Sequence, residues 1–268
     1  MPRSEVVAAE GKSECPTIFM TTALYLLNNK AYAMSERALS HHMMHPQGGS
    51  SPNYLEVLAK LCLEKGDLTV ADGHISEALK VNYRKPDAWA LYGHVKYMLS
   101  DDDAARQAYE RSLVFETDPG DLQEIYIRLG MVYLRQSEFL KAKDTFLLAC
   151  KRQPSAVTWL GVGIGCYRLE EYEDAENALC EANLLNNYDP VIWAYLSLVS
   201  LKTSRRLEAE QAYKFSRKVC FIFVFVHEMK LNFLHFLKLQ LKDEALLDEL
   251  HMIQQQVGFG NPELATSG

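Results

Sequence analysis

The sequence predicts an all-α fold of repeated antiparallel helix pairs, a solenoid. Three observations predict it. Aromatic residues recur with a fixed period: Trp159 and Trp193 stand 34 positions apart, and Tyr126 precedes Trp159 by 33. Small residues recur behind them, Gly93, Gly130 and Gly163 in one row and Ala105, Ala142, Ala175 and Ala209 in another. Pro154 closes one such unit, where it cannot donate the next helical hydrogen bond.

The elements follow in order. Residues 1–16, MPRSEVVAAEGKSECP, are polar and acidic and are expected to be disordered; they lack the basic and apolar regions of a secretory signal. Repeats are expected over 17–218 as five or six units. A divergent unit is anchored at Phe19, with Ala23, Leu26, Tyr32, Leu39 and Pro46. The segment HPQGGSSPN separates it from a unit anchored at Leu55, with Leu58, Ala59, Gly66, Ala71, Ile75 and Ala78. Behind Trp89 come Gly93, Ala105, Tyr109 and Ser112. The turn ETDPGDL then lengthens the step to Tyr126, whose unit holds Leu129, Gly130, Tyr133, Ala142, Phe146 and Ala149. Behind Trp159 come Gly163, Ala175, Leu179 and Ala182, and behind Trp193 come Leu196, Ser197, Ala209, Tyr213 and Ser216.

The residue types have a physical reason. Gly or Ala on the first helix of a pair faces Ala on the second, so the backbones can approach closely. Trp, Leu, Tyr and Phe fill the space between successive helices. One pair cannot bury its apolar faces alone, so the pairs must stack. Trp89, Trp159 and Trp193 are therefore read as structural.

The order aromatic, Leu, Gly, Tyr, Ala, Phe, small residue, Pro resembles the tetratricopeptide repeat family over residues 17–218. The resemblance implies a right-handed superhelix whose concave face is lined by the first helices. It also implies that ligands touch residues one, five and eight places after each aromatic. Those places hold Ala90, His94 and Tyr97; Ile127, Met131 and Leu134; Leu160, Ile164 and Tyr167; and Ala194, Leu198 and Leu201. This surface is largely apolar, and the expected protein-binding groove is Ile127, Met131, Leu134, Leu160, Ile164, Tyr167 and Leu198. Relatives that hold a chaperone's C-terminal carboxylate use Lys and Asn in the early repeats. Met20, Leu24, Glu56 and Lys60 stand there instead, which disfavours a co-chaperone.

Composition agrees with a protein-binding role. The 268 residues include 28 Lys and Arg against 35 Asp and Glu, a formal charge of −7, with 48% apolar and 24% charged residues. That balance disfavours nucleic acid as a partner, since a nucleic-acid protein carries a basic face. No apolar run reaches the roughly 18 residues of a membrane span. The six cysteines lack CxxC spacing and read as reduced core thiols of a cytosolic protein.

Several strings imitate chemistry. Gly161, Gly163 and Gly165 resemble a phosphate loop, but Cys166 stands where the third glycine of that fingerprint is needed, and helix packing is the preferred reading. His41, His42 and His45 could hold a soft metal, but they also end a helix, where His is favourable. Asp101, Asp102 and Asp103 lack the glycine of a calcium loop and suit helix capping. No nucleophile–base spacing of a known kind occurs, so no enzyme activity, cofactor or metal is expected.

The C-terminal part departs from the period. Val219 to Phe236, VCFIFVFVHEMKLNFLHF, is β-branched and aromatic where the last repeat should turn, and 219–238 is read as an atypical apolar insertion. A buried connector and a docking patch are alternatives to the favoured reading, an artefact of gene modelling. Residues 239–257 carry an apolar stripe, Leu239, Leu246, Leu250, Ile253 and Val257, with Lys242, Asp243, Asp248 and Glu249 off it. This helix is expected to cap the last repeat, with groove filling or partner pairing as alternatives. Residues 258–268 are expected to be a flexible tail.

The ending LKDEALLDELHMIQQQVGFGNPEL and the repeat bodies DAWALYGHVKYML and YIRLGMVYLRQSEFLKAKDTFLLAC are similar to the C-terminal part of a family of cilia- and flagella-associated proteins. The resemblance implies a fragment or short isoform of a longer protein. It implies a scaffold of the axoneme, the cytoskeleton of the cilium or flagellum, which contacts other axonemal proteins and helps regulate motility. A cytosolic adaptor for assembly or transport of ciliary components is the alternative.

Overall fold

The computed structural model describes residues 16–44, 51–115, 122–226 and 249. Among them are helices joined by short turns, and no strand. Helix α1 (Pro16–Asn28) pairs with α2 (Tyr32–Met43), α3 (Pro52–Lys65) with α4 (Leu68–Val81), and α5 (Pro86–Met98) with α6 (Asp102–Phe115). Next, α7 (Leu122–Arg135) pairs with α8 (Phe139–Arg152), α9 (Ala156–Arg168) with α10 (Tyr172–Leu185), and α11 (Pro190–Lys202) with α12 (Arg206–Val226). The chain divides into two compact units, Met1–Gly120 and Asp121–Gly268, each with three pairs. The division falls in the segment ETDPGDL.

The period is written into the backbone as well as the side chains. Inside each pair, one turn residue takes a left-handed conformation: Lys30 (φ 58°), Gly66 (88°), Ser100 (61°), Ser137 (60°), Glu170 (64°) and Ser204 (63°). The next residue's N–H returns to a carbonyl of the preceding helix at 2.8–3.0 Å, as in Asp101 to Lys96, Glu138 to Tyr133 and Arg205 to Ser200. This closure satisfies carbonyls that a helix end would otherwise leave bare. The second helix begins immediately after it.

Helix starts follow from local chemistry. Pro52, Pro86 and Pro190 open α3, α5 and α11, where a missing N–H costs nothing. The Ser51 and Asp189 side chains accept from the N–H groups of Tyr54 and Val191, and Ser155 and Thr158 form a reciprocal capping box on α9. Asp101 accepts from the Ala104 N–H at 3.2 Å, so the first of the three aspartates caps α6.

Each unit has its own apolar interior. In the first, Ala23, Leu27 and Leu39 pack with Tyr54, Val57 and Leu61, and Ile75, Trp89, Val95 and Ala108 form a second cluster. In the second unit, Phe146, Leu179, Ile192, Tyr195 and Tyr213 belong to one cluster spanning α8 to α12. The glycine string lies inside α9 and serves this packing. A Cβ added to Gly163 would stand 2.7 Å from Leu179 Cγ, and one added to Gly161 2.5 Å from the Phe146 ring. Likewise, a Cβ at Gly130 would stand 2.7 Å from Phe146, and one at Gly93 2.6 Å from Tyr109. Ala142 and Ala175 are fully buried, Tyr133 is buried, and Trp159 and Trp193 are partly buried.

Helix α12 runs through Val219–Val226, the first eight residues of the apolar segment that sequence reading set apart. Of the expected C-terminal helix at 239–257, only Glu249 is described, and it is helical. The expected disordered start (1–16, but for Pro16) and tail (258–268), and His45, lie outside the described residues. His42 is buried and stacks on Tyr54 at 5.6 Å, while His41 stacks on Phe19 at 5.9 Å. No helix among the described residues is long and apolar enough to cross a membrane.

Candidate protein-binding groove

The predicted groove residues all fall in the second unit, on first helices of pairs. Ile127, Met131 and Leu134 sit on α7 and are half-buried. Leu160, Ile164 and Tyr167 sit on α9, and Leu198 on α11. Their spacing of three to four positions puts each set on one helix face. Helix α9 packs against both α7 and α11, which brings the three rows together.

Four of these residues are buried. Leu160 is 6% exposed, Ile164 4%, Tyr167 5% and Leu198 2%. These four belong to the unit's core cluster, with Met131 and Leu134 packed against it. Tyr167 meets Tyr195 of α11 edge-on at 5.7 Å and lies 6.1 Å from Tyr172 of α10. Counting positions from an aromatic gives the place on the helix but not the burial found there.

Two polar residues that sequence reading did not assign to this face, Arg168 and Glu249, meet at its end. Tyr167 Oη donates to Glu249 Oε2 at 2.9 Å, and the Arg168 guanidinium donates to Glu249 Oε1 at 2.8 Å. Both carboxylate oxygens are thus used by neighbouring residues at the C-terminal end of α9. The Arg168 guanidinium also lies 5.7 Å from the centre of the Tyr167 ring. Arg168 is 14% exposed and Glu249 33%, so the pair is partly shielded from water. Burial first, and then the adjacent carboxylate, push the Tyr167 phenol well above its ordinary range. The available signal was that Glu249, though off the apolar stripe, stands three positions after Leu246 and four before Ile253.

The equivalent positions in the first unit differ. Ala90 and His94 of α5 are buried, and His94 Nδ1 lies 2.9 Å from Tyr109 Oη of α6. A separate cleft of about 460 Å³ between α8, α9 and α10 is lined by Lys143, Trp159, Cys166, Asn177 and Glu181. Lys143 is paired with Glu171 at 2.6 Å, and burial pushes the Cys166 thiol up to about 11. That cleft therefore presents a paired cation and a protonated thiol. No group of three metal-binding side chains occurs among the described residues.

Comparison with known proteins places this architecture. Residues 36–221 match the model of the Cilia and flagella-associated protein 70 C-terminal domain. The chain belongs to that family. The match to the Cilia and flagella-associated protein 70 C-terminal domain begins in α2 and ends in α12, so it takes in the whole candidate groove. The chain is 44% identical over 252 residues to human Cilia- and flagella-associated protein 70, covering 94% of this chain. It spans about a fifth of that relative's length, 21%.

Solved structures agree on the fold. PilF of Pseudomonas aeruginosa is similar with a TM-score of 0.61 at 14% identity, over 88% of this chain and 96% of that one. MamA from residue 41 to its end, of Desulfovibrio magneticus RS-1, is similar with a TM-score of 0.58 at 16% identity, over 64% and 96%. The chain therefore has the tetratricopeptide helix-pair fold of the Cilia and flagella-associated protein 70 C-terminal domain.

Proposed function

We propose that this chain is a non-catalytic, protein-binding scaffold of the ciliary or flagellar axoneme. It docks a partner helix or strand on the first helices of its second unit and so contributes to control of motility. The observation that carries this reading is the family match over residues 36–221, which encloses an apolar face on α7, α9 and α11. Helix-pair repeats present such faces to partner segments, and burial of apolar area drives the association. The half-buried residues Ile127, Met131 and Leu134 are the ones a partner reaches first.

The test is retention of a tagged chain in detergent-extracted cilia. Retention that only high salt reverses supports a stable axonemal scaffold. Loss with the soluble fraction moves the reading to a cytosolic adaptor. Ile127→Glu with Met131→Glu puts charge on the half-buried row and should release the chain from axonemes while its helix content stays unchanged. A folded double variant that is retained as well as the original sinks groove docking.

A further inference from the structure

Glu249 is separated by 81 residues from Arg168 and by 82 from Tyr167, yet it is bonded to both. This contact lies at one end of the row Leu160, Ile164, Tyr167, the centre of the proposed groove. The four groove residues Leu160, Ile164, Tyr167 and Leu198 on this face are buried. The sequence around Glu249 is suited to cover it. Leu246 and Ile253 fall three positions before and four after Glu249, so in a helix they share its side, with Leu250 beside them. A helix through Glu249 would therefore carry the apolar stripe beside the anchored acid.

We propose that residues 239–257 are an intramolecular ligand of the groove, locked to α9 by the Glu249 carboxylate between Arg168 and Tyr167, and that an axonemal partner binds by displacing them. The inference builds on the groove as the docking surface. It adds an occupant and a lock. It also defines the chemistry of the displacing partner: an amphipathic helix with an acidic residue beside its apolar stripe, able to take the Arg168 guanidinium in turn. The 239–257 segment is therefore a template for that partner as well as its competitor.

The test uses the full chain and a fluorescent synthetic peptide of residues 239–257. In the unaltered chain the groove is filled, so the peptide should bind poorly. Glu249→Arg places two cations together and should free the groove, so peptide affinity should rise at least tenfold. Glu249→Gln keeps the shape, removes only the charge, and should give a smaller rise. Arg168→Glu should reject the original peptide but accept one carrying Glu249→Arg. Thermal unfolding of each variant verifies that it is folded. Equal peptide binding by the unaltered and Glu249→Arg chains, or binding by neither, overturns the inference. A concentration-dependent dimer that Glu249→Arg dissolves also overturns it, because a second copy would then hold the site. The peptide assay contains no axoneme, so a chain that passes it yet leaves extracted cilia sinks only the axonemal reading.

Discussion

Ser216 Oγ donates a hydrogen bond to the carbonyl of Pro190 at 2.7 Å. Three helix pairs earlier, Ser112 makes the same bond to Pro86 at 2.9 Å. Each ties the second helix of a pair to the first residue of its first helix. The tryptophans repeat the correspondence: Trp89 Nε1 donates to the Tyr83 carbonyl at 2.6 Å and Trp193 Nε1 to that of Asn187 at 2.9 Å. Both serines are fully buried. Ser216→Ala should therefore lower stability by about 1 kcal/mol, the ordinary net worth of such a bond. Denaturant unfolding checks it, and Ser112→Ala should cost a similar amount.

The turn residues make an opposite pair of predictions. Gly66 has φ 88° and open space where a Cβ would go, so Gly66→Ala isolates backbone strain from any clash. It should destabilise by about 1 kcal/mol. Ser137 holds φ 60° with a side chain present. Ser137→Gly should stabilise by about 0.5–1 kcal/mol, since relief of strain exceeds the added freedom of the unfolded chain. A shift of the unfolding midpoint in the wrong direction at either site would refute the assignment.

Cysteine chemistry should divide sharply. Cys166 is 2% exposed, and its thiol is pushed up to about 11, chiefly by burial. Cys180 is exposed. Burial raises the Cys180 thiol too, but its exposure leaves it accessible, so at pH 8 iodoacetamide should modify Cys180 before Cys166 and reach Cys166 only on unfolding. Peptide mapping by mass spectrometry reads the order directly.

Alkaline pH should loosen the second unit. Burial and Glu249 raise the Tyr167 phenol above its usual value of 10.0. Below that value both folded and unfolded chains hold the proton. As pH rises past it, the unfolded chain releases the proton while the folded chain retains it, so stability falls. The melting temperature should drop above pH 10, and Tyr167→Phe should make that drop shallower. Equal slopes for the two chains would mean that Tyr167 is not the group responsible.

The repeat architecture was legible because it is local and periodic. Trp159, Gly163 and Ala175 stand at offsets that recur, and each offset reports one contact between adjacent helices. The divergent pair α1–α2 was legible only faintly, because Phe19 and Ala23 preserve apolar character without the full signature. The left-handed turns were hidden because five of the six residues are not glycine, so tertiary closure overrides local preference. Val219–Val226 looked unlike helix from its β-branched and aromatic content, yet it continues α12, whose hydrogen bonding carries through that weak bias. The link from Glu249 to Arg168 has no period at all. It joins positions 81 residues apart, and only the folded chain puts them together.

Phe146 belongs to α8, yet its ring fills the space left bare by Gly130 on α7 and by Gly161 on α9. The boundary at Pro154 is therefore a boundary of sequence and not of folding. A chain severed there would leave Phe146 half-clothed and the flank of α9 without its filling, so neither piece would retain the parent's cohesion. The pairs of the second unit must melt together, as links that share a pin and not as beads on a string.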